Sequence, residues 1–522
     1  MAFQWSDMQT AIFDDVRDGE GHTCVEALAG AAKSTSLIES LNYVPKKAAN
    51  SILVTSFSVA CVADLKKKGP PWTVDLRTMN SLGFKALRDN GYTDLKVDKD
   101  RVWNVLDDLM PMPERMSREN RRGFNAVRES AKQLVDLAKG HLADDSEAMY
   151  DLCDEFSIEY DVPEWLAPAL QDRFGVEPGG ELLGVVFNVL EACKDISNGI
   201  VDFNDQLWLP IVYDLPFESY ERIFLDEAQD TSMVQIEMLC RCLTKTSRVC
   251  MFGDRNQALY HFRGAGMGME PFINRLAAKR LPLSISYRCP KNVVTLAHRI
   301  VPELEAAPGA PDGIVEDIDY ARMLSSLKMG DTVLSRRNSS LLRLFMTLLR
   351  LRIPVGLSRN DIGKSLTAFI TKLDAKNAGD VHSKTKEWAE KETKRRTDKD
   401  PDAKVDFIND RVECIEILCD NANSLQDVFD KLEKLLVTPT GGRVLLSTVH
   451  AAKGLEWDRV FMLDFTFPIN TSFWMQYAHG GSPEEWAAGM AEKVFADDQA
   501  ERAVWYVSVT RSKRELYLVG AP

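Results

Sequence analysis

Six short segments of the chain are dominated by Val, Ile, Leu and Phe, and each is followed by polar or small residues and then by a helix-like pattern. A strand covered by helices on both faces reads as a continuous apolar run of this kind, so the segments predict buried parallel strands in a doubly wound α/β fold. Ligands of such sheets collect beyond the carboxyl ends of the strands, where polar residues are the first candidates for chemistry. The segments are SILVTSF from Ser51, RIFLDEAQD from Arg222, RVCMFGD from Arg248, RVLLSTVH from Arg443, RVFMLDF from Arg459 and ELYLVG from Glu515.

Two stretches depart from this pattern. Between about residues 92 and 204 the apolar positions recur with helical spacing, as in RGFNAVRESAKQLVDLAKGHL, which predicts a helical insertion. From about residue 374 to residue 404, lysines, arginines and acids alternate and apolar residues nearly vanish. This second stretch predicts a solvated helix or mobile loop, and a surface that contacts a nucleic-acid duplex is the alternative.

The composition narrows the class of protein. A chain of 522 residues is too long for one core and predicts about three or four compact units. Its 45% apolar and 27% charged residues are ordinary for a globular protein, and no run of about 18 apolar residues could cross a bilayer. The amino terminus has neither the basic start nor the apolar segment of a secretory signal. We therefore expect a cytoplasmic protein that does not act in a membrane.

The cysteines and the net charge exclude two further classes. The ten cysteines are scattered, with no C-x-x-C pair and no Cys/His grouping at zinc spacing, so we expect reduced core thiols and no zinc site. The net charge of −14 argues against a protein that coats polyanions generally, because long-range repulsion would oppose its approach. A local basic or aromatic groove for nucleic acid is still compatible with that charge.

The segment EALAGAAKSTSL, from Glu26 to Leu37, departs from the phosphate-loop pattern G-x-x-x-x-G-K-[ST]. Lys33 and Ser34 occupy the last two positions of the pattern, while Ala27 and Ala32 stand where glycines are usual. Alanine is the smallest side chain that still permits close backbone approach, although it tolerates positive φ poorly. The segment predicts a phosphate loop with an altered backbone.

Paired acids end one of the predicted strands. Asp226 and Glu227 follow the apolar residues of RIFLDEAQD. Two neighbouring carboxylates at a strand end suit a Mg²⁺-nucleotide site, in which one holds the metal and the other polarises the attacking water. A pair of exposed acids would be the commonplace alternative for these two residues taken alone.

The residues that follow the acids match a known family. DEAQDTSMVQIEML resembles the Walker B segment of superfamily 1A DNA helicases of the UvrD/Rep/PcrA type, and it is also similar to the F-box DNA helicase branch. The other motifs follow in the family's order: SDMQTAI with its glutamine, ALAGAAKS, TSFSVACVADL (Ia), TMNSLG (Ib), VDFNDQLWLP, FGDRNQALYHFRGA (III), LSISYRCP (IV), VLLSTVHAAKGLEWDRVFML (V) and ERAVWYVSVTRSK (VI). The resemblance spans residues 5 to 518 with gaps in the two insertions.

The resemblance implies a site for ATP and Mg²⁺. Gln9 would read the adenine, and Tyr287 would stack on the base. Lys33 would pair with the β- and γ-phosphates, while Ser34 and Asp226 would hold Mg²⁺. The loop that would cradle the phosphates consists of Ala29, Gly30, Ala31, Ala32, Lys33, Ser34 and Thr35.

Hydrolysis would depend on further residues that the resemblance implies. Glu227 would polarise water, Gln257 would sense the γ-phosphate, and Glu456 would contact nucleotide. An arginine supplied from a second lobe stabilises the negative charge that spreads over the γ-phosphate oxygens. Arg288 and Arg511 would fill that role. The residues expected to carry catalysis are Lys33, Asp226, Glu227, Gln257, Arg288 and Arg511.

Positions similar to the family's strand-binding residues imply a groove for single-stranded DNA, in which bases stack on aromatic rings whatever their sequence. The candidates are Ser56, Phe57, Ser58, Asn80, Tyr260, Phe262, Thr448 and His450. Phe262 stands where relatives often have tryptophan, and Asn80 stands where they often have histidine. Core packing is the alternative for each aromatic residue.

The resemblance also implies two RecA-like lobes with parallel sheets and two insertions. Lobe 1A would comprise residues 1–90 and 205–282, interrupted by the helical insertion 1B at 91–204. Lobe 2A would comprise residues 283–370 and 438–522, interrupted by a reduced 2B-like charged segment at 371–437. The chain length after Arg511 leaves no room for the fused nuclease of some relatives.

The resemblance implies that the protein is an ATP-dependent translocase on single-stranded DNA and a DNA helicase with 3′ to 5′ polarity. It also implies ATP hydrolysis that DNA stimulates and ss/dsDNA junctions as the substrate. Two alternatives are a translocase that strips nucleoprotein complexes with little unwinding, and an ATPase subunit for a separate nuclease. RNA is a minor option, because no readable feature distinguishes a 2′-hydroxyl sensor. The expected partners are replication, repair or recombination proteins in the DNA-containing compartment.

Overall fold

The computed structural model describes residues 5–45, 51–56, 58–71, 74–113, 116–156, 158–174, 181–258, 269–358, 361–397, 405–436, 442–463 and 499–520. The chain divides into two compact units. The first consists of Met1–Leu28 and Ala32–Leu283, and the second of Ala29–Ala31 and Ser284–Pro522.

The first unit is built on a six-stranded parallel sheet. Its order is β3-β2-β6-β7-β1-β8, and the remaining strands β4 and β5 form a separate parallel pair within the region predicted to be helical. The strands are β1 (Thr23–Ala27), β2 (Ile52–Ser56), β3 (Val74–Thr78), β4 (Lys96–Val97), β5 (Ile200–Val201), β6 (Tyr220–Asp226), β7 (Leu243–Gly253) and β8 (Lys279–Leu283).

The helices of this unit pack their apolar faces on the sheet or on one another. In the first, a capping box between Ser6 and Gln9 fixes the start, and Ile12, Phe13 and Val16 recur at helical spacing and are buried. The helices are α1 (Asp7–Asp18), α2 (Lys33–Ser40), α3 (Val59–Lys67), α4 (Met79–Asp89), α5 (Arg101–Leu109), α6 (Arg118–His141), α7 (Ser146–Glu155), α8 (Ala167–Phe174), α9 (Glu181–Lys194), α10 (Asp205–Val212), α11 (Met233–Arg241) and α12 (Glu270–Leu276).

A buried cluster of four charges joins the helical region to the rest of the first unit. Asp205, at the start of α10, accepts hydrogen bonds from Arg101 of α5 and from Lys139 of α6, the latter at 2.7 Å. Lys139 also donates to Asp202 at 3.0 Å, and all four residues are buried. The opposite charges balance, so each ion has a partner away from water. We call these four residues the buried charge cluster.

The second unit has a six-stranded parallel sheet of its own. Its order is β11-β16-β15-β12-β14-β13, and β9 pairs with β10. The strands are β9 (Ile285–Ser286), β10 (Glu305–Ala306), β11 (Ile314–Ile318), β12 (Thr332–Ser335), β13 (Val355–Leu357), β14 (Val444–Thr448), β15 (Trp457–Leu463) and β16 (Ser512–Val519). The helices are α13 (Lys291–Ala297), α14 (Tyr320–Ser326), α15 (Asn338–Arg350), α16 (Asp361–Lys372), α17 (Ala378–Thr397), α18 (Asp406–Cys419), α19 (Leu425–Leu436) and α20 (Gln499–Val509).

All six apolar runs that predicted buried parallel strands are strands of the two sheets, which confirms the predicted α/β class. The bounds of the two lobes and their insertions are still a prediction. Residues 29–31 group with the second unit, because the N–H of Tyr287 donates to the Gly30 carbonyl at 2.9 Å and the N–H of Ala29 donates to the Tyr506 hydroxyl at 2.9 Å.

The charged stretch after residue 374 forms helix α17 over Ala378–Thr397, in agreement with the solvated-helix interpretation for that part. Its buried side carries Val381, and the ring of Trp388 meets Phe369 edge to face at 5.0 Å. On the outer surface, Lys384 pairs with Asp380 at 3.2 Å. Residues 398–404 lie outside the described residues, and duplex contact by this stretch is still a prediction.

All ten cysteines are free thiols, and seven of them are buried, as expected for core residues. None of the described helices is both long enough and apolar enough to cross a bilayer.

Candidate nucleotide site and strand-binding residues

The turn between β1 and α2 has the backbone that a phosphate loop requires. Gly30 has φ +74°, and Ala32, which directly precedes α2, has φ +57° and ψ +34°. A Cβ built on Gly30 would lie 2.5 Å from the Ser286 hydroxyl and 2.7 Å from the Arg288 Cβ, so glycine is required there on two grounds. Ala32 adopts the left-handed conformation without being glycine, and the pattern's final glycine position is therefore strained.

We expect Ala32→Gly to raise the free energy of unfolding by about 0.5–1 kcal/mol. The left-handed conformation costs an L-residue about 1–2 kcal/mol, and glycine relieves this strain in the folded state. The greater freedom of glycine in the unfolded chain cancels about 0.4–1 kcal/mol of the resulting gain in stability. Urea unfolding measures the difference. The matched control is Ala31→Gly, because Ala31 is buried and has no positive φ. Equal losses of stability in both variants would contradict the strain at Ala32.

The four residues expected to bind phosphate and metal converge at the ends of β1 and β6. The Lys33 ammonium lies 2.7 Å from a Glu227 carboxylate oxygen and 3.9 Å from Asp226. The Ser34 hydroxyl donates to Asp226 at 2.9 Å. Because parallel strands end at one edge of the sheet, residues 193 positions apart in sequence, Lys33 and Asp226, become neighbours. Thr35 is exposed in the first turn of α2.

The electrostatics of this cluster follow from burial. Burial acts to lower the pKa of Lys33, but the Glu227 and Asp226 carboxylates outweigh it and the pKa is raised, so the ammonium stays charged. Burial raises the pKa of Asp226 to about 6. Glu227 has φ +57°, an uncommon backbone conformation for a side chain of this size and one that concentrates at functional sites.

Hydrogen bonds between side chains link the acid pair to the end of β7. The Gln229 amide donates to Glu227 and accepts from the Asp254 N–H at 3.0 Å. Asp254 in turn accepts from the Gln257 side chain at 2.6 Å, and burial raises the pKa of Asp254 to about 6. Sequence reasoning assigned Gln257 but not Gln229 or Asp254, although both lie within the DEAQD and GDRNQ segments that it singled out.

The donor set suits Mg²⁺ held jointly with a nucleotide. Mg²⁺ takes oxygen ligands and is commonly bound through one or two protein side chains together with substrate phosphates. Ser34 and Asp226 supply a hydroxyl and a carboxylate that already lie within hydrogen-bond distance of each other. Within the described part of the chain, no group of three or more His, Cys, Asp or Glu side chains could hold a metal ion.

Gln9 is fully buried, and both ends of its amide have hydrogen-bond partners. Its nitrogen donates to the Ser36 hydroxyl at 2.9 Å, and its oxygen accepts from the Ser6 N–H at 3.0 Å. These bonds fix the amide between α1 and α2. A role in reading adenine is still a prediction, and it requires an exchange of at least one of these bonds.

The second unit brings three of its expected residues together. The Arg288 guanidinium donates to the Glu456 carboxylate at 2.6 Å and to the Thr510 carbonyl at 3.3 Å. Arg511, next in sequence to Thr510, is 1% exposed and donates to the carbonyls of Val507 at 2.8 Å and Leu455 at 3.2 Å. The two arginines therefore differ: Arg288 is held by an exposed acid, whereas Arg511 is enclosed by backbone acceptors. Tyr287 is 41% exposed.

Most of the strand-binding candidates that the structure describes form hydrogen bonds within the protein. The Ser58 hydroxyl caps α3 by accepting from the Cys61 N–H at 3.1 Å, and the Asn80 amide donates to the Phe203 carbonyl at 2.7 Å. The Thr448 hydroxyl accepts from the Ala451 N–H at 3.3 Å, and His450 is half-buried two residues further on. Ser56 is fully buried at the end of β2. Phe57, Tyr260 and Phe262 lie outside the described residues, so their stacking role is still a prediction.

The first unit has the fold of P-loop nucleoside triphosphatases, since a doubly wound parallel sheet carries β1, the phosphate-loop turn and α2, and β6, separated from β1 by β7, ends in an acid pair. Two family models match most of the chain. The UvrD/REP helicase N-terminal domain matches residues 8–270, and the UvrD-like helicase C-terminal domain matches residues 376–521. The chain belongs to the UvrD/REP helicase family.

Individual relatives are similar at low identity. The F-box DNA helicase protein 1 of Schizosaccharomyces pombe is 22% identical over 95% of this chain and 55% of its own length. The F-box DNA helicase 1 of Gallus gallus is 23% identical over 95% of this chain and 47% of its own length. DNA helicase II of Haemophilus influenzae is 26% identical over 30% of this chain and 26% of its own length. The chain thus spans about half the length of the F-box relatives that it matches.

Proposed function

We propose that the protein is an ATP-dependent DNA helicase that translocates along single-stranded DNA in the 3′ to 5′ direction. The observation that carries this proposal is the convergence of Lys33, Ser34, Asp226 and Glu227 beyond the ends of β1 and β6, which are separated by β7. Family membership adds the choice of DNA as the substrate class.

In this proposal, the phosphates of ATP replace the carboxylates as partners of the Lys33 ammonium. Ser34 and Asp226 would hold Mg²⁺, which would supply positive charge against the phosphate oxygens. Lys33 then leaves Glu227 free to accept a proton from the attacking water, and Gln229 keeps the Glu227 carboxylate oriented. The chain from Gln229 through Asp254 to Gln257 gives Gln257 a fixed position from which to respond to the γ-phosphate.

The arginines of the second unit complete the proposal. Transition-state charge on the γ-phosphoryl group needs a cation that arrives when the nucleotide is bound. Arg288 fits this role better than Arg511 does in the described conformation, because one ion pair with the exposed Glu456 is its main restraint. Arg511 would have to leave two backbone carbonyls to reach a phosphate.

The DNA part of the proposal depends on the expected groove residues and on the cellular place of the substrate. Single strands would stack on Phe57, Tyr260 and Phe262, while Thr448 and His450 would contact phosphates. The protein would then act where DNA is replicated, repaired or recombined, with proteins of those processes as partners.

The test compares ATP hydrolysis with single-stranded DNA, RNA and duplex DNA, alongside strand displacement from duplexes with 3′ or 5′ overhangs. We expect the largest stimulation with single-stranded DNA, and displacement only from duplexes with a 3′ overhang. Translocation without displacement would favour a remodeller of nucleoprotein complexes. The absence of DNA-stimulated hydrolysis by the isolated chain would favour an ATPase subunit that works with a separate nuclease.

A further inference from the structure

Two buried hydroxyl groups at the end of β2 lack a hydrogen bond of normal geometry to any described residue. They are Thr55 Oγ1 and Ser56 Oγ, and both residues are fully buried. The Ser56 hydroxyl does interact with the Cys61 thiol, which is a weak hydrogen-bond acceptor. A buried hydroxyl that lacks a partner loses its hydrogen bonds to water without replacement. Such groups are rare in folded proteins, and each calls for an explanation.

The two hydroxyls lie on opposite faces of the sheet, because successive side chains of a strand alternate. Ser56 is paired in register with Asp226 of β6 on one side and with Thr78 of β3 on the other. Paired residues of parallel strands present their side chains on the same face, with neighbouring strands about 4.8 Å apart. Ser56 therefore lies beside the carboxylate that we propose as a Mg²⁺ ligand, whereas Thr55 is paired with Leu225.

Asp226 has room for another donor. Its carboxylate accepts from the Ser34 hydroxyl at 2.9 Å and from the Glu227 N–H at 3.0 Å, while an ionised carboxylate offers about four acceptor sites. The carboxylate is 2% exposed, so water does not readily supply the rest. A serine hydroxyl reaches alternative partners by rotation about χ1.

The strand-binding role expected of Ser56 conflicts with its burial, because a DNA phosphate cannot approach a side chain with no exposed surface. We propose instead that Ser56 is a positioning residue of the nucleotide site, whose hydroxyl donates a hydrogen bond to Asp226 when Ser34 engages Mg²⁺ and ATP. This inference rests on the proposed function. It places the carboxyl end of β2 at the proposed Mg²⁺ site and leaves contact with DNA to the residues that follow β2.

The position of Cys61 agrees with that division. Burial raises the pKa of the Cys61 thiol, the Ser58 and Ser56 hydroxyls lower it, and the Glu227 and Asp226 carboxylates raise it further. The Ser58 hydroxyl donates to the Cys61 sulfur at 3.1 Å. The thiol in the first turn of α3 therefore interacts with the acid pair and with both serines of this segment.

The test is Ser56→Ala in the full chain, with Thr55→Val as the matched control, since it removes the other orphan hydroxyl from the opposite face. The main readout is the Mg²⁺ concentration needed for half-maximal binding of a fluorescent, non-hydrolysable ATP analogue. We expect this concentration to rise about tenfold in Ser56→Ala, as the loss of one hydrogen bond to a charged group implies. The affinity for a labelled single-stranded oligonucleotide should stay unchanged, and Thr55→Val should alter neither quantity.

A double-mutant cycle tests whether Ser56 acts through Asp226. In an Asp226→Asn background, Ser56→Ala should change the binding of the analogue by less than about twofold. Thermal unfolding serves as the control for folding, and Ser56→Ala should change the midpoint little because the removed hydroxyl interacts only with the weakly accepting Cys61 thiol among the described residues.

Three results would overturn the inference. Weaker oligonucleotide binding with an unchanged Mg²⁺ requirement would support the original assignment of Ser56 to DNA binding. No change in either quantity would show that the hydroxyl contributes to neither. Wild-type protein that binds no nucleotide in the presence of Mg²⁺ would refute the proposed function along with the inference, whereas normal wild-type binding with an unaltered Ser56→Ala would refute the inference alone.

Discussion

Replacing Lys33 by Ala should reduce ATP turnover by about 100-fold or more while leaving the affinity for single-stranded DNA nearly intact. The ammonium lies between Glu227 and Asp226 and is the one side chain of the loop that can carry positive charge to the β- and γ-phosphates. Removing one preorganised electrostatic partner of a transition state typically costs about 10²–10³ in rate. Steady-state hydrolysis with saturating oligonucleotide measures the loss, and fluorescence anisotropy measures DNA binding.

The matched control for this variant is Lys245→Ala, because Lys245 is exposed and lies near the start of β7, at the opposite end of that strand from Asp254. Its turnover should equal that of the wild type. Retained turnover in Lys33→Ala would refute the phosphate-loop assignment, since no other cation is assigned to those phosphates within the first unit.

Replacing Asp205 by Ala should destabilise the first unit by about 3–5 kcal/mol, the usual cost of breaking a buried ion pair. The change leaves Arg101 and Lys139 buried with one fewer carboxylate, and the N–H of Asp202 loses its acceptor at 2.8 Å. Hydrogen exchange of the amides in α6 measures the effect, because that helix carries Lys139. Exchange of the α6 amides should accelerate at urea concentrations well below those at which the second unit unfolds.

Glu191→Ala is the control for the loss of an ion pair as such. Glu191 accepts from Lys194 at 2.6 Å, and the two side chains are 73% and 40% exposed, so its removal should cost no more than about 1 kcal/mol. A similar cost for both variants would show that the buried charge cluster has no greater effect on stability than an exposed pair.

All six strands recognised from the sequence lie in the interior of a sheet, and most of the strands that were missed lie at the edge of one. β2, β6 and β7 and their counterparts β14, β15 and β16 are enclosed on both faces and on both sides, which makes them continuous apolar runs. The edge strands β3, β8, β11 and β13 mix polar and apolar residues because one side faces no neighbouring strand. KRLPL of β8 even contains proline, which an edge position tolerates.

The proximity of Lys33 and Ser34 to the acid pair was predictable for a related reason, since strand ends converge at one edge of a sheet whatever their spacing in the sequence. The surroundings of individual side chains were not. The motif that contains Arg511 indicates a cation but not its enclosure by the carbonyls of Val507 and Leu455. Likewise, the serines flanking Phe57 look equivalent in the sequence, yet one is sealed inside the sheet and the other caps a helix.

The buried charge cluster also separates two responses to ionic strength. Counter-ions in solution screen exposed charges over about 10 Å at 0.1 M salt but hardly reach ions that are enclosed by protein. Grip on a polynucleotide comes from phosphate contacts and fades as salt is added. Concentrated salt should therefore release bound DNA from the protein while the helices carrying Arg101 and Lys139 stay paired with Asp202 and Asp205, so that release and unfolding occur at well-separated salt concentrations.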